Sequence, residues 1–181
     1  MVEGARTEPE AGRSGVRVQM GGTGAANVAT GVPVLDHLLS LTARYARFDL
    51  ALDVEPGSAD AEVAAAGLAL GRALAEPLRA DGARGYGSAF MLASEALAHV
   101  SLEASDEPLV VSNVDLSEAR LAGLATDLVA QFLRQLAEGA GLTLHLRLVN
   151  GSDTQHVLEA IFKALGVALA QACRTRRPDT R

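Results

Sequence analysis

Cysteine, excess positive charge and long apolar runs are all scarce in this 181-residue chain, and each scarcity closes off a class of function. Cys173 is the only cysteine, so no intrachain disulfide can form, and the chain suits a reducing cytoplasm. No apolar stretch reaches the ~20 residues a helix needs to cross a bilayer. The segment from Met1 to Gly15 is polar and mixed in charge, unlike a secretion signal. A soluble, cytoplasmic protein with no membrane partner is expected. The net charge of -6 argues against nucleic-acid binding, because neutralising phosphates takes a basic face. Only the tail is locally basic, through Arg174, Arg176, Arg177 and Arg181. Lys163 is the sole lysine among sixteen basic residues, which reads as coding bias and carries no functional assignment.

What is present is a pattern of mixed periods. Alternation at Val16, Val18 and Met20, at Phe48, Leu50, Leu52 and Val54, and at Leu142, Leu144, Leu146 and Leu148 predicts half-buried strands. Leu35, Leu38, Leu39 and Thr42 follow helical spacing, as do Leu124, Leu128, Gln131, Phe132 and Leu136. Two further helices rich in alanine and leucine are predicted from about Asp60 to Ala75 and from Thr154 to Ala172, each opened by a Gly-Ser turn and each following a strand. These stretches also resemble each other. Leu70-Gly71 matches Leu165-Gly166, and Ala73-Leu74-Ala75 matches Ala168-Leu169-Ala170. Upstream, the strand from Phe48 to Val54 aligns with Leu142 to Leu148, and the helix from Leu35 to Thr42 with Val129 to Leu136. The chain therefore reads as a duplicated helix-strand-turn-helix unit. The expected divisions are a flexible segment over 1–15, half-domains over 16–92 and 93–173, and a basic tail over 174–181.

Few residues carry chemistry. His156 and Glu159 stand three apart near the start of the last helix, a spacing that puts imidazole and carboxylate on one face. They read either as a solvated helix pair or as two donors to one cation. His145 lies on the strand face opposite the leucines, toward solvent or a neighbouring subunit. His37 follows Asp36, which could orient its ring, or is a structural histidine. His99, in a predicted strand without an acidic neighbour, reads as structural.

Several strings together resemble one family. Gly22-Thr23-Gly24, then Thr30-Gly31-Val32-Pro33-Val34-Leu35-Asp36-His37-Leu38-Leu39, is similar to the Gly-Thr-Gly and Leu-Asp-His patterns of the imidazoleglycerol-phosphate dehydratases, hydro-lyases of histidine biosynthesis. Further matches are Phe48-Asp49-Leu50, Tyr86-Gly87-Ser88-Ala89-Phe90, Glu95-Ala96-Leu97, Ala140-Gly141-Leu142-Thr143-Leu144-His145 and the stretch from His156 to Leu165. They are collinear from about Gly22 to Leu169. The resemblance implies an α+β fold of duplicated half-domains, each a four-stranded mixed sheet backed by two helices. It also implies assembly from trimers, with an active site of two manganese ions between subunits. In that site each half supplies a single histidine and a His-His-x-x-Glu helix start, and the metals help ionise the substrate's imidazole.

The chain departs from this pattern at the site itself. The second motif survives as Gln155-His156-Val157-Leu158-Glu159, with one histidine replaced by an amide, and His145 remains. In the first half His37 remains, but the motif aligns with Asp60-Ala61-Glu62-Val63-Ala64, and alanine cannot bind a metal. A family arginine falls on Gly85, beside Arg84, and another on Glu107. A carboxylate at that place repels a phosphate. The C-terminal phosphate contact has no match, and an N-terminal family glutamate corresponds to Glu10. The expected remnant is one divalent metal, manganese or another, held among Asp60, His156, Glu159 and either His37 or His145, with Glu10 and Arg84 left for a small imidazole- or phosphate-bearing substrate and no organic cofactor. Two functions follow: a dehydratase of weak or altered activity, or a noncatalytic paralogue serving as a structural or regulatory subunit of a homo-oligomeric, family-type assembly.

Overall fold

The computed structural model describes residues 14–115 and 120–175; Glu10 and the tail residues Arg176, Arg177 and Arg181 lie outside the described residues. The chain opens with β1 (Gly15–Gln19) and β2 (Ala26–Ala29), passes through α1 (Pro33–Ala46) to β3 (Asp49–Asp53), and continues into α2 (Ala59–Arg79). Next come β4 (Tyr86–Ala93), β5 (Ala96–Ala104), β6 (Leu109–Ser112) and the short pair β7 (Arg120–Leu121) and β8 (Leu124–Ala125). The chain then forms α3 (Asp127–Ala140), β9 (Leu142–Asn150) and α4 (Thr154–Ala172).

The duplication is visible in the strand pairing. One sheet has the order β1-β3-β2, the other β4-β5-β9-β6. In the first, β3 runs antiparallel to β1 and parallel to β2. In the second, β9 runs antiparallel to β5 and parallel to β6. The unit β1-β3-β2 therefore recurs as β5-β9-β6, with α1 matching α3 and α2 matching α4. The second sheet has the four expected strands, and three strands of the first are among the described residues.

Two boundaries differ from the sequence reading. Residues 86–92, assigned above to the first half, belong to β4, which pairs along its whole length with β5. The sheets thus divide between Arg79 and Tyr86. The reason is an inverted pattern: Tyr86, Phe90 and Leu92 face outward, while the small Gly87, Ala89 and Ala93 face the helix beneath. Leu124, read as helical, lies in β8, and α3 begins only at Asp127.

Both long helices open as their turns require. The Ser58 side chain accepts from the Ala61 N–H at the start of α2, and the Asp153 carboxylate accepts from the His156 N–H at the start of α4. Helices α1 and α2 lie on the first sheet and α3 and α4 on the second, and the halves join by α1 packing on α4 and α2 on α3. One apolar core runs through both halves, including Leu35, Leu39, Leu74, Leu136, Phe132 and Phe162, all essentially inaccessible. Each such leucine contributes roughly 1.5–3 kcal/mol by leaving water.

The helix pairs approach closely at two glycines that correspond in the repeat. A Cβ on Gly71 would stand 2.5 Å from the Leu136 carbonyl oxygen of α3, and one on Gly166 would stand 2.4 Å from the Thr42 carbonyl oxygen of α1. Thr42 also links the halves directly, its hydroxyl donating to the Phe162 carbonyl at 3.0 Å. Cys173, just beyond α4, is partly buried, and burial pushes its thiol up to about 11, which leaves it unreactive. No helix among the described residues is long and apolar enough to cross a membrane.

Close packing at these two points makes a specific prediction. Gly71→Ala and Gly166→Ala each lower stability by about 1–3 kcal/mol through overpacking, although alanine is favoured over glycine in a helix interior by about 1 kcal/mol. Gly57→Ala, where an added Cβ meets only ordinary contact, is close to neutral. Urea unfolding midpoints measure both, and a gain in stability from either helix variant contradicts the packing described.

Candidate functional site

The packing of α1 on α4 brings chemistry from the two halves together. Val32 and Pro33 start α1, with proline in the first turn where its missing N–H costs nothing. The Asp36 carboxylate reaches back to Thr30, accepting from its N–H at 2.9 Å and from its hydroxyl. It therefore does not orient His37, as the sequence reading allowed. Consecutive residues on a helix point in different directions. The partner of His37 is Glu159 instead: His37 Nε2 stands 3.0 Å from Glu159 Oε1, across 122 residues of chain.

Glu159 is the hub of this cluster. Its Oε1 also accepts from Gln155 Nε2 at 3.0 Å, one helical turn earlier. Burial works to raise the Glu159 pKa, yet the hydrogen bonds from Gln155 and His37 outweigh it and hold the carboxylate below its usual value. The Glu159 side chain is 18% exposed and that of His37 55% exposed, so the pair lies at a solvent boundary. A cavity of about 240 Å³ opens beside it, with Pro33, Val34 and Leu38 on one side and Leu121 and Ala122 on another.

His156 turns to a different carboxylate. Its Nδ1 lies 2.5 Å from Glu95 Oε2, in the turn between β4 and β5. Glu95 accepts through Oε1 from the Asp153 N–H at 2.9 Å and the Ser152 N–H at 3.3 Å. The Asp153 N–H contributes most to lowering the Glu95 carboxyl to about 2, against an opposing effect of burial and with help from His156. The hydrogen bond to Glu95 in turn raises the His156 pKa, aided by the charges of Asp153 and Glu159. In the sequence Glu95 is marked only by the string Glu95-Ala96-Leu97. The signal available was that string alone, since 61 residues separate Glu95 from His156 and no periodicity spans such a gap.

The other expected residues are elsewhere. Asp60 stands exposed in the first turn of α2. His145 lies on the outer face of β9, opposite Ser101 and Val111. It shares an open cavity of about 520 Å³ with Arg84, His99 and Arg147. The Arg84 guanidinium sits 4.2 Å from the Tyr86 ring centroid. His99 is held by Ser88, at 2.7 Å from its Nε2, and stacks on Phe90 at 4.2 Å between centroids. Within one chain, no three histidine, cysteine, aspartate or glutamate side chains among the described residues converge on a metal position. His37 and Glu159 are brought together, His156 is near them on the same helix, and Asp60 and His145 are not gathered in. Outside this region, the Gly22-Thr23-Gly24 turn wraps the Asp49 carboxylate, which accepts from the N–H groups of Thr23, Gly24 and Ala25. Those bonds, led by that of Ala25, hold its pKa down, and a Cβ on Gly22 would collide with the same carboxylate.

The charged pair at His156 predicts a pH window. A raised histidine pKa stabilises the fold fully below its ordinary 6.5 and loses that contribution as pH rises through the folded value. A lowered carboxyl stabilises fully above its ordinary 4.5 and loses that contribution as pH falls toward about 2. The stability difference between wild type and Glu95→Ala is therefore largest between about pH 4.5 and 6.5 and shrinks on both sides. Denaturation midpoints across pH test this, and a difference independent of pH contradicts it.

Comparison with known proteins places this geometry in a context. A family model described as imidazoleglycerol-phosphate dehydratase matches residues 30–169. The imidazoleglycerol-phosphate dehydratase of Syntrophobacter fumaroxidans is 44% identical over 158 residues, covering 84% of this chain and 80% of the relative. That of Acetivibrio thermocellus is 39% identical over 169 residues, covering 90% and 84%. The crystal structure of imidazoleglycerol-phosphate dehydratase from Staphylococcus aureus is similar with a TM-score of 0.83 at 27% identity, over 92% of this chain and 96% of that one. The Pyrococcus furiosus structure gives 0.79 at 29% identity, over 97% and 96%.

Proposed function

The chain belongs to the imidazoleglycerol-phosphate dehydratase family, and from that premise we propose that it is a dehydratase of weak or altered activity whose centre is reduced to one cation position at His37 and Glu159. The observation that carries this reading is the 3.0 Å approach of His37 Nε2 to Glu159 Oε1. Two donors adjacent in the shell of an octahedral ion, each about 2.1 Å from it, are about 3 Å apart. The pair thus has the spacing of neighbouring ligands, and one proton now bridges the place where two electron pairs meet.

The residues fit one ion and not two. Ala61 and Ala64 occupy the aligned helix start of the first half and offer no donor atom. The Gln155 amide, already donating to Glu159, leaves only a neutral oxygen. Since no third acidic or imidazole group converges on the pair within one chain among the described residues, further ligands are water or side chains of a second copy. Asp60 and His145, both exposed, and the free Nε2 of the partly exposed His156 are the candidates. A divalent cation such as manganese, when bound, supplies positive charge that favours ionisation of a substrate imidazole. Arg84, beside His145 in the cavity of about 520 Å³, offers the charge for a phosphate group. Glu10 is assigned to substrate by resemblance alone.

A contribution from a second copy agrees with the outer face of the second sheet. Phe90, Leu92 and Val149 are 63%, 64% and 53% exposed there, and a contiguous apolar face of this kind marks an association surface. That face supports a homo-oligomer, and the trimeric arrangement rests on the family resemblance alone. The alanines at positions 61 and 64 favour a second reading, a noncatalytic subunit that keeps the assembly and lacks turnover.

Dehydration assays with manganese and imidazoleglycerol phosphate, together with complementation of a histidine auxotroph, separate the two. Slow turnover that falls at least ~10-fold in His37→Ala and Glu159→Ala is the expected result, because ligand loss costs affinity at least as much as loss of a supporting group. No turnover by a well-folded oligomer overturns the dehydratase reading in favour of the second. Light scattering tests the assembly: wild type gives a mass that is a multiple of three chains, and Phe90→Glu with Leu92→Glu lowers it. A monomeric wild type contradicts any site shared between copies.

A further inference from the structure

Glu95 divides its two oxygens between two tasks at the start of α4. Oε1 takes the Ser152 and Asp153 N–H groups, fixing the loop before the helix. Oε2 faces His156 Nδ1 at 2.5 Å. An ionised carboxylate can only accept, so that ring nitrogen carries the hydrogen. Neutral imidazole has a single N–H, and its Nε2 is left with a lone pair. The main chain beneath the ring is pinned as well, because the His156 N–H donates to Asp153 Oδ1 at 3.0 Å.

We propose that Glu95 is a positioning residue, which holds the His156 ring as the Nδ1–H tautomer and presents Nε2 as an electron-pair donor on the α4 face that carries Glu159. The proposal rests on the function above only in naming a divalent cation as the acceptor of that lone pair. The ring orientation itself stands on the hydrogen bonds. A carboxylate behind an imidazole also raises the ring's basicity, which strengthens it as a donor. In a chain that has lost Asp60's aligned neighbour to Ala61, each surviving imidazole must be correctly presented for any ion to bind.

The decisive variant is Glu95→Gln. Its carbonyl oxygen can still accept from Ser152 and Asp153, so the loop stays anchored, while its amide turns a donor toward Nδ1. Long-range proton–nitrogen correlation spectra of metal-free protein at about pH 9, above the ordinary imidazole range, read the tautomer directly. The expected wild-type spectrum has Nδ1 protonated and Nε2 bare, and Glu95→Gln reverses them in a protein that remains folded. A wild-type ring protonated at Nε2, or a tautomer unchanged in Glu95→Gln, overturns the assignment. Titration with manganese chloride, followed by the paramagnetic resonance of free Mn²⁺, gives the second readout. Binding weakened about 10- to 100-fold in Glu95→Gln supports the positioning role, and equal binding by both proteins overturns it. If wild type binds no manganese while the tautomer still switches, the Glu95 assignment is supported and the cation reading of the site falls.

Discussion

The docking of one half on the other through closely approaching helices is the constraint on which the rest of this molecule depends. Gly71 and Gly166 occupy equivalent places in the duplicated sequence, and each lets its helix come within backbone contact of the helix contributed by the other half. Only that distance allows a side chain on α1 to meet one on α4. His37 and Glu159 are consequently as much a product of packing as of their own chemistry: replace the glycine under α1 with a larger residue, and the pair 3.0 Å apart is pushed open.

The electrostatics of the site follow from where carboxylates survive. Glu159 serves His37 and Gln155, while Glu95 serves His156 and the amides before α4. Each imidazole has its own acid, and each acid is kept ionised by the donors around it. All of these groups cluster at the start of α4. The equivalent start of α2 carries Asp60, Ala61 and Ala64, and there the duplication persists in the backbone while the histidine and glutamate pattern of α4 does not. A symmetric fold thus supports an asymmetric site.

Much of this architecture was legible in the sequence because it rests on local periods. The strands β1, β3 and β9 declared themselves by alternation, α4 by its length and turn, and the repeat by matched strings such as Leu70-Gly71 and Leu165-Gly166. What escaped depends on partners far away in the chain. Strand β4 turns its large side chains outward, so its pattern does not reveal which sheet it joins. Asp36 is the local neighbour of His37 in sequence, yet helix geometry sends it to Thr30 and leaves the role to a residue 122 positions away. Glu95 gave no chemical hint of its own, since its importance lies wholly in what α4 brings to it. Of the expected metal donors, His37, His156 and Glu159 gather near one helix end, whereas Asp60 and His145 remain exposed elsewhere on the same chain.

The proposed centre has a single cation position where the resemblance to the family implies two. Metal content per chain, measured on the intact purified oligomer after equilibration with manganese and removal of free ion, addresses this most directly. The geometry described here predicts one ion per chain, lost when Glu159 is replaced by alanine. Two ions per chain, or one that survives that replacement, would contradict it.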